Sequence, residues 1–281
     1  MKTIMDARYK TTCIGFSLIE MIIAISVLGI LSASTAVFLR GPIASYFDTE
    51  RRVDLANAGE LAMAKMAQEI SNAVPNSVRI INLPGPNGGF YLEFLPVVNE
   101  GVYATPEPFS LPNNTFTALC VSPTVPCPIQ TPASKWVVIN NHVAPAGMDV
   151  WANPGGTSSR TGLTGIVGGI INHSPKTFYG AAGVDYHFQI ADDPVTYFCD
   201  PPPGSGTLMR YSGYGVPAVI QPQPPAVSPN VLARQITACR VRVVAGNLRH
   251  AQVVALTLTL AAGTPADSLN LYQAIRVETP P

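Results

Sequence analysis

Gly15-Phe16-Ser17-Leu18-Ile19-Glu20 opens an apolar run that continues to Leu39, and the rest of the chain takes its meaning from this stretch. From Phe16 to Leu39 there are 24 residues, of which only Glu20 ionises. At about 1.5 Å per residue the run makes a helix of roughly 36 Å, enough to cross a hydrocarbon layer of ~30 Å. Lys2, Arg8 and Lys10 precede it against one acid, Asp6, so the positive end is expected to stay cytoplasmic and the remainder to cross. A secretory signal would close its apolar region with a small-x-small cleavage site. Here the small residue, Gly15, comes before the apolar run.

Glu20 is the chemical anomaly of the run. A carboxylate at the centre of a membrane helix costs about 2.5 to 3.5 kcal/mol on insertion scales, so it marks function and calls for a partner. The bland alternative is a side chain near the membrane end that snorkels to the interface. The coincidence of glycine, phenylalanine, basic leader and apolar run favours function.

A glycine, then Phe-Ser-Leu-Ile-Glu, behind a short basic leader and ahead of an apolar helix, resembles the processing site of type IV prepilins and type II secretion pseudopilins. That resemblance implies cleavage by prepilin peptidase between Gly15 and Phe16, N-methylation of Phe16, and use of Glu20 against the amino terminus of another subunit. It implies other major and minor pilins as partners, passage through the inner membrane with a periplasmic head, and no cofactor. Asn72 to Arg79, Leu208 to Tyr211, Ile236 to Val241 and Val254 to Leu260 are similar in pattern to large minor pilins and J-type pseudopilins.

Composition bounds the remainder. Charged residues are only 12%, while Pro and Gly number 27 and 23, which points to a loop-rich β domain. The formal charge is zero, and without residues 1 to 15 there are 14 Lys+Arg against 16 Asp+Glu. No overall basic field exists to attract nucleic acid. Of the five cysteines, Cys13 falls in the expected leader, leaving four, as a disulfide framework requires. The simplest pairing is Cys120 with Cys127 and Cys199 with Cys239, the latter closing a loop of roughly 40 residues and contributing about 4 kcal/mol. The Cys120 to Cys127 spacing and the absence of a nearby His speak against zinc.

The expected fold class is α+β: a long N-terminal helix, half transmembrane and half amphipathic, on an antiparallel sheet with long Pro/Gly-rich loops. The expected segments are a leader at 1–15, a membrane helix at 16–40, a stalk helix at 44–74 and a β-rich head at 75–281. Pro42 is expected to kink or melt the helix. Leu55, Ala62, Met63, Met66, Ile70 and Ala73 recur at threes and fours and form one apolar stripe, and Val74-Pro75 ends the helix. Beyond it the period shifts towards two. Strands are expected near 78–81, 90–95, 115–121, 136–140, 186–190, 195–198, 208–211, 236–244, 252–260 and 271–277, with a hairpin over Asn87-Gly88. Residues 141–183, including the run Gly162 to Gly169, and 201–230 are expected to be long surface loops.

Competing chemistry is thin. His142, His173, His187 and His250 have no partner at metal spacing, the Gly162 to Gly169 run lacks a lysine, and no Gly-x-Ser-x-Gly elbow appears. Asp192, Asp193 and Asp200 offer a calcium set or an ordinary turn, and the turn is preferred. Neither metal nor catalytic site is expected. Arg240, Arg242 and Arg249 offer a surface for DNA or a neighbouring subunit, or are simply solvated. The function expected is a minor pilin that starts or caps a type IV pilus. The alternatives are a secretion pseudopilin, a tip adhesin or DNA-binding subunit, and, least favoured, an anchored periplasmic enzyme.

Overall fold

The computed structural model describes residues 15, 17–104, 113–119, 136–141, 144, 147–153, 158–178, 186–202, 206–217, 220, 225–246, 251–262 and 267–277. The chain divides into two compact units, Met1–Arg51 and Arg52–Pro281. Each is described by itself.

The first unit is the N-terminal part of one α-helix, α1 (Leu18–Ser71). Ser17 precedes it and its carbonyl accepts from the Glu20 and Met21 amides at 3.1 and 3.2 Å. Large apolar side chains from Leu18 to Leu39 are exposed all round. Three of the four hydroxyls in this span are folded back: Ser26 Oγ donates to Ile22 O at 2.7 Å, Ser34 to Ile30 O at 2.8 Å and Thr35 to Leu31 O at 2.8 Å. Every polar group so satisfied is fit for a medium that offers no hydrogen bonds. Of the kink or melt expected at Pro42, the melt is absent: Pro42 lies inside the continuous helix. Proline forfeits one i to i−4 bond, and the unbroken ladders on either side carry the helix across that gap.

In the second unit α1 buries one stripe, Leu55, Gly59, Ala62, Met63, Met66 and Ile70. The stripe lies on a seven-stranded antiparallel sheet in the order β1 (Arg79–Asn82), β2 (Phe90–Phe94), β9 (Val195–Cys199), β10 (Gly206–Tyr211), β11 (Asn230–Val244), β12 (Val253–Ala262), β13 (Asp267–Arg276). Phe90, Leu92, Phe94, Tyr197, Leu208, Leu256, Leu258 and Leu260 meet it from the sheet. A Cβ on Gly59 would stand 2.5 Å from Leu271 Cδ1 and 3.1 Å from Leu260 Cδ1. Glycine lets helix and sheet close there.

The helix ends at Ser71, three residues before the Val74-Pro75 stop expected from sequence. Residues 72–74 have left the helix for a β partner: Val74 N donates to Leu95 O and Val97 N to Asn72 O, both at 2.8 Å.

The larger departure from expectation is a second body. β3 (Val97–Tyr103), β4 (Asn113–Leu119), β7 (Ile170–Lys176), β6 (Arg160–Val167), β5 (Trp136–Ile139) and β8 (His187–Ala191) close into a six-stranded barrel around Tyr103, Phe116, Ile171 and Phe188. Residues 160–176, expected to be loop, form the β6–β7 hairpin of this barrel. Their glycines leave half-buried strands with little apolar alternation to read. The barrel is an insertion between β2 and β9, which pair directly, Phe94 opposite Val195 and Phe90 opposite Cys199.

The insertion is locked to its host. Val74, Leu95, Val138, Val150, Trp151 and Ala191 form a separate apolar cluster at the junction. Asn141 Nδ2 donates to Pro75 O at 2.6 Å and Trp151 Nε1 to Ser77 O at 2.9 Å.

Candidate functional site: the N-terminal helix and its joints to the head

Gly15 is exposed just ahead of α1, and Phe16 lies outside the described residues, as do Cys13, Cys120, Cys127, His142, His250 and Arg249. Glu20 stands in the first turn, where a carboxylate complements the positive end of the helix dipole. It is exposed, and among the described residues no cation of its own chain reaches it. Gly15 and Glu20 thus sit at the N-terminal end of an apolar helix.

The other end of α1 is held by charge. Lys65 Nζ and Arg210 Nε each lie 2.8 Å from Glu69, and Tyr197 Oη donates to Glu69 Oε2 at 2.6 Å. Burial pushes Glu69 up, but hydrogen bonds from Arg210, Lys65 and Tyr197 outweigh it and hold the carboxyl below its ordinary range. Burial together with the Glu69 carboxylate pushes the Tyr197 hydroxyl far up.

On the opposite face of the sheet, Arg79 Nε donates to Glu93 Oε2 at 2.7 Å and Tyr214 Oη to Glu93 Oε1 at 2.9 Å, and Tyr214 also contacts Thr196 Oγ1. The Arg79 guanidinium lies 3.6 Å from the Trp151 ring centroid. Here burial wins, and Glu93 is raised despite Arg79 and Tyr214. Two similar carboxylates are thus shifted in opposite directions.

Sequence reasoning missed a third joint, at the barrel. Arg160 Nε donates to Val150 O at 2.7 Å and its guanidinium lies 4.1 Å from the Trp136 ring centroid, while Lys176 Nζ meets Ser158 Oγ at 3.0 Å. Burial lowers Arg160 to about 10; burial and the neighbouring Arg160 lower Lys176 to about 8. Polar residues in expected loops give no sign that they will be buried.

Cys199 and Cys239 are joined by a disulfide, with Cα atoms 6.6 Å apart. It links β9 to β11 across the start of β10. Alongside, Gly88 adopts φ 72° and takes the edge of β11, with Asn87 O accepting from Cys239 N at 3.0 Å. A Cβ on Gly88 would stand 2.4 Å from Cys239 O, so the Asn-Gly turn both forms the expected hairpin and closes against the disulfide.

Asp192 and Asp193 lie in the β8–β9 turn, where Asp193 N donates to Asp192 Oδ1 at 2.8 Å. Among the described residues no group of three His, Cys, Asp or Glu is placed to hold a metal. His173 is buried inside the barrel against Phe116 and Phe178, and burial lowers it. His187 is on β8, away from it in sequence. A cleft at the end of α1 is lined by Ser71, Asn72, Asn99, exposed Glu100 and Gln189, and Ser71 Oγ donates to Gln68 O at 3.1 Å.

With that geometry in hand, the comparison with known families concerns the tip of α1 alone. Residues 11–36 match the prokaryotic N-terminal methylation motif. The chain therefore carries the signal of a type IV pilin or pseudopilin, which implies processing by prepilin peptidase and assembly with other pilins. No curated protein and no solved structure matches it. The apolar helix and this motif together suit a membrane-anchored pilin.

Proposed function

We propose that the protein is a minor pilin that initiates or caps a type IV pilus. The precursor inserts through its apolar helix, is cut between Gly15 and Phe16, and is methylated on Phe16. The head stands in the periplasm until the subunit moves from the inner membrane into the filament. There Glu20 pairs with a subunit's amino terminus and fixes axial register, because an unpaired charge in an apolar core is costly. The observation that carries this reading is the coincidence of the methylation motif with a helix whose exposed apolar end holds one acid. The C-terminal pattern resembles the O-type biogenesis protein of mannose-sensitive haemagglutinin pili.

The inserted barrel supports the low-copy role. A head that carries a second body beside its sheet is bulky to repeat along a fibre and is accommodated at an end. Intact-mass analysis of the membrane-extracted protein is expected to show loss of residues 1 to 15 and a methyl group on the new terminus. A retained leader would sink the proposal. Abundance in filaments equal to the major subunit would sink the low-copy role, and loss of secretion with pili intact in a deletion strain would move the chain to the pseudopilins.

A further inference from the structure

The seven-stranded sheet ends differently on its two sides. β1 is four residues long and its Arg79 is tied to Glu93. β13 is ten residues long and runs in unbroken register with β12, from Asp267 opposite Ala262 to Arg276 opposite Val253. It has no bulge, proline or lysine, its inward row is Leu269, Leu271, Gln273 and Ile275, and its two charges, Asp267 and Arg276, stand at its ends, so the stretch from Ser268 to Ile275 lacks the usual devices that blunt an exposed edge. Among the described residues no strand pairs with its outer side, and the barrel, being closed, has no edge. Alternate N–H and C=O groups of β13 therefore point outward in the plane of the sheet. Such a row is complementary to another extended backbone.

The side chains on each face are also unfinished. In β12 the inward residues Val254, Leu256, Leu258 and Leu260 are fully buried, whereas Leu269 and Leu271 of β13 are only half-buried beneath α1. On the outer face Tyr272 is 71% exposed. Arg276 lies at the end of the same row, and the register sets Arg242 level with Ala255 and Ala274, and Arg240 level with Thr257 and Tyr272. β11 and β12 contain no acid, and the acid of β13, Asp267, is at its opposite end. That face is complementary to carboxylates.

We propose that β13 accepts an extended strand from the head of a neighbouring, different filament subunit. This strand is apolar on the side towards α1 and acidic on the outer side near Arg276. The proposal rests on the filament reading above. Pairing of β13 with a second copy about a two-fold axis normal to the sheet would run the two Leu55–Ile70 segments in opposite directions and bring no acid to Arg240 and Arg242; it is the competing outcome of the test below. Head-to-tail addition would leave four-residue β1 to cover ten-residue β13.

The test places the photo-crosslinker p-benzoylphenylalanine at Tyr272 of the full-length chain in producing cells, with Val231 of β11 as control. Irradiation is expected to join position 272, but not 231, to an extended head segment of another pilin-type subunit, mapped by mass spectrometry. Ala274→Pro is expected to reduce that product at least tenfold. Amide exchange along unmodified β13 is expected to slow at least tenfold in filaments relative to detergent-extracted protein. Unchanged exchange, or a product with a second copy or with a helix, overturns the strand proposal while leaving a methylated, filament-borne subunit intact. An unmethylated chain absent from filaments overturns both.

Discussion

The two ends of α1 share a backbone conformation and little else. From Leu18 to Leu39 large apolar side chains face every direction, and hydroxyls bond back to their own helix. From Leu55 to Ile70 the apolar residues that matter occupy one stripe against the sheet, while Leu61 on another face remains 72% exposed. What differs is the medium each end is built for. An end destined for lipid or a filament core needs apolar groups all round, whereas one packed on a sheet needs about three or four per two turns. On the function proposed above, the first end is where subunits meet, while the second packs on the sheet of the head.

Substitutions in the two ends are expected to separate these roles. Glu20→Leu should have the largest effect. Breaking a buried pair costs about 3 to 5 kcal/mol, so incorporation into filaments should fall roughly a hundredfold or more, with cleavage and thermal unfolding of the head unchanged. Quantitative immunoblotting of sheared filaments and a melting curve check both halves. A variant that enters fibres like the parent would break the comparison.

Met66→Ala should act the other way round. Met66 is wholly buried in the stripe. Truncation there should cost about 2 to 5 kcal/mol of head stability while leaving cleavage after Gly15 intact, as denaturant unfolding and intact mass would show.

The smallest effect is expected at the ion cluster. Glu69→Gln should cost about 1 to 3 kcal/mol at neutral pH. Because the carboxyl is held below its ordinary range, its contribution is present above the unfolded-state pKa and is lost as pH falls through the lower folded value. Glu93 runs in reverse, its raised folded pKa giving stability at low pH that is lost as pH rises. The Gln variant at 69 should therefore lose less stability on acidification than the parent in paired urea titrations.

The same division explains what was legible in the sequence. Leu55, Ala62, Met63, Met66 and Ile70 announce themselves through their spacing, but Gly59 does not, because its role is the absence of a side chain where Leu271 arrives. Strands with long apolar alternation, such as β12, are readable from their residues alone. The barrel is readable only in part: β4, β5 and β8 fall where strands are expected, but no single segment shows that Tyr103, Phe116 and Phe188 meet in one core, and β6 and β7 lie in a stretch expected to be loop. Residues 230–235, which lengthen β11, are obscured by register shifts where Gln235 takes φ 60°. At the N-terminus the reading needs no tertiary information, since Gly15, Phe16 and Glu20 are defined by their place along the chain. The Cys199 to Cys239 bond is the one expected as the simplest pairing, although four cysteines allow three connectivities, whereas Cys120 and Cys127 lie outside the described residues.

The barrel leaves its host and returns to it through adjoining strands, β2 and β9, about 4.8 Å apart as sheet neighbours are. A guest that departs and rejoins at one point meets its host there and at the Asn141 and Trp151 contacts to residues 75–79. A cassette that keeps this doorway and these contacts can change in its far strands while β2 and β9 keep their pairing.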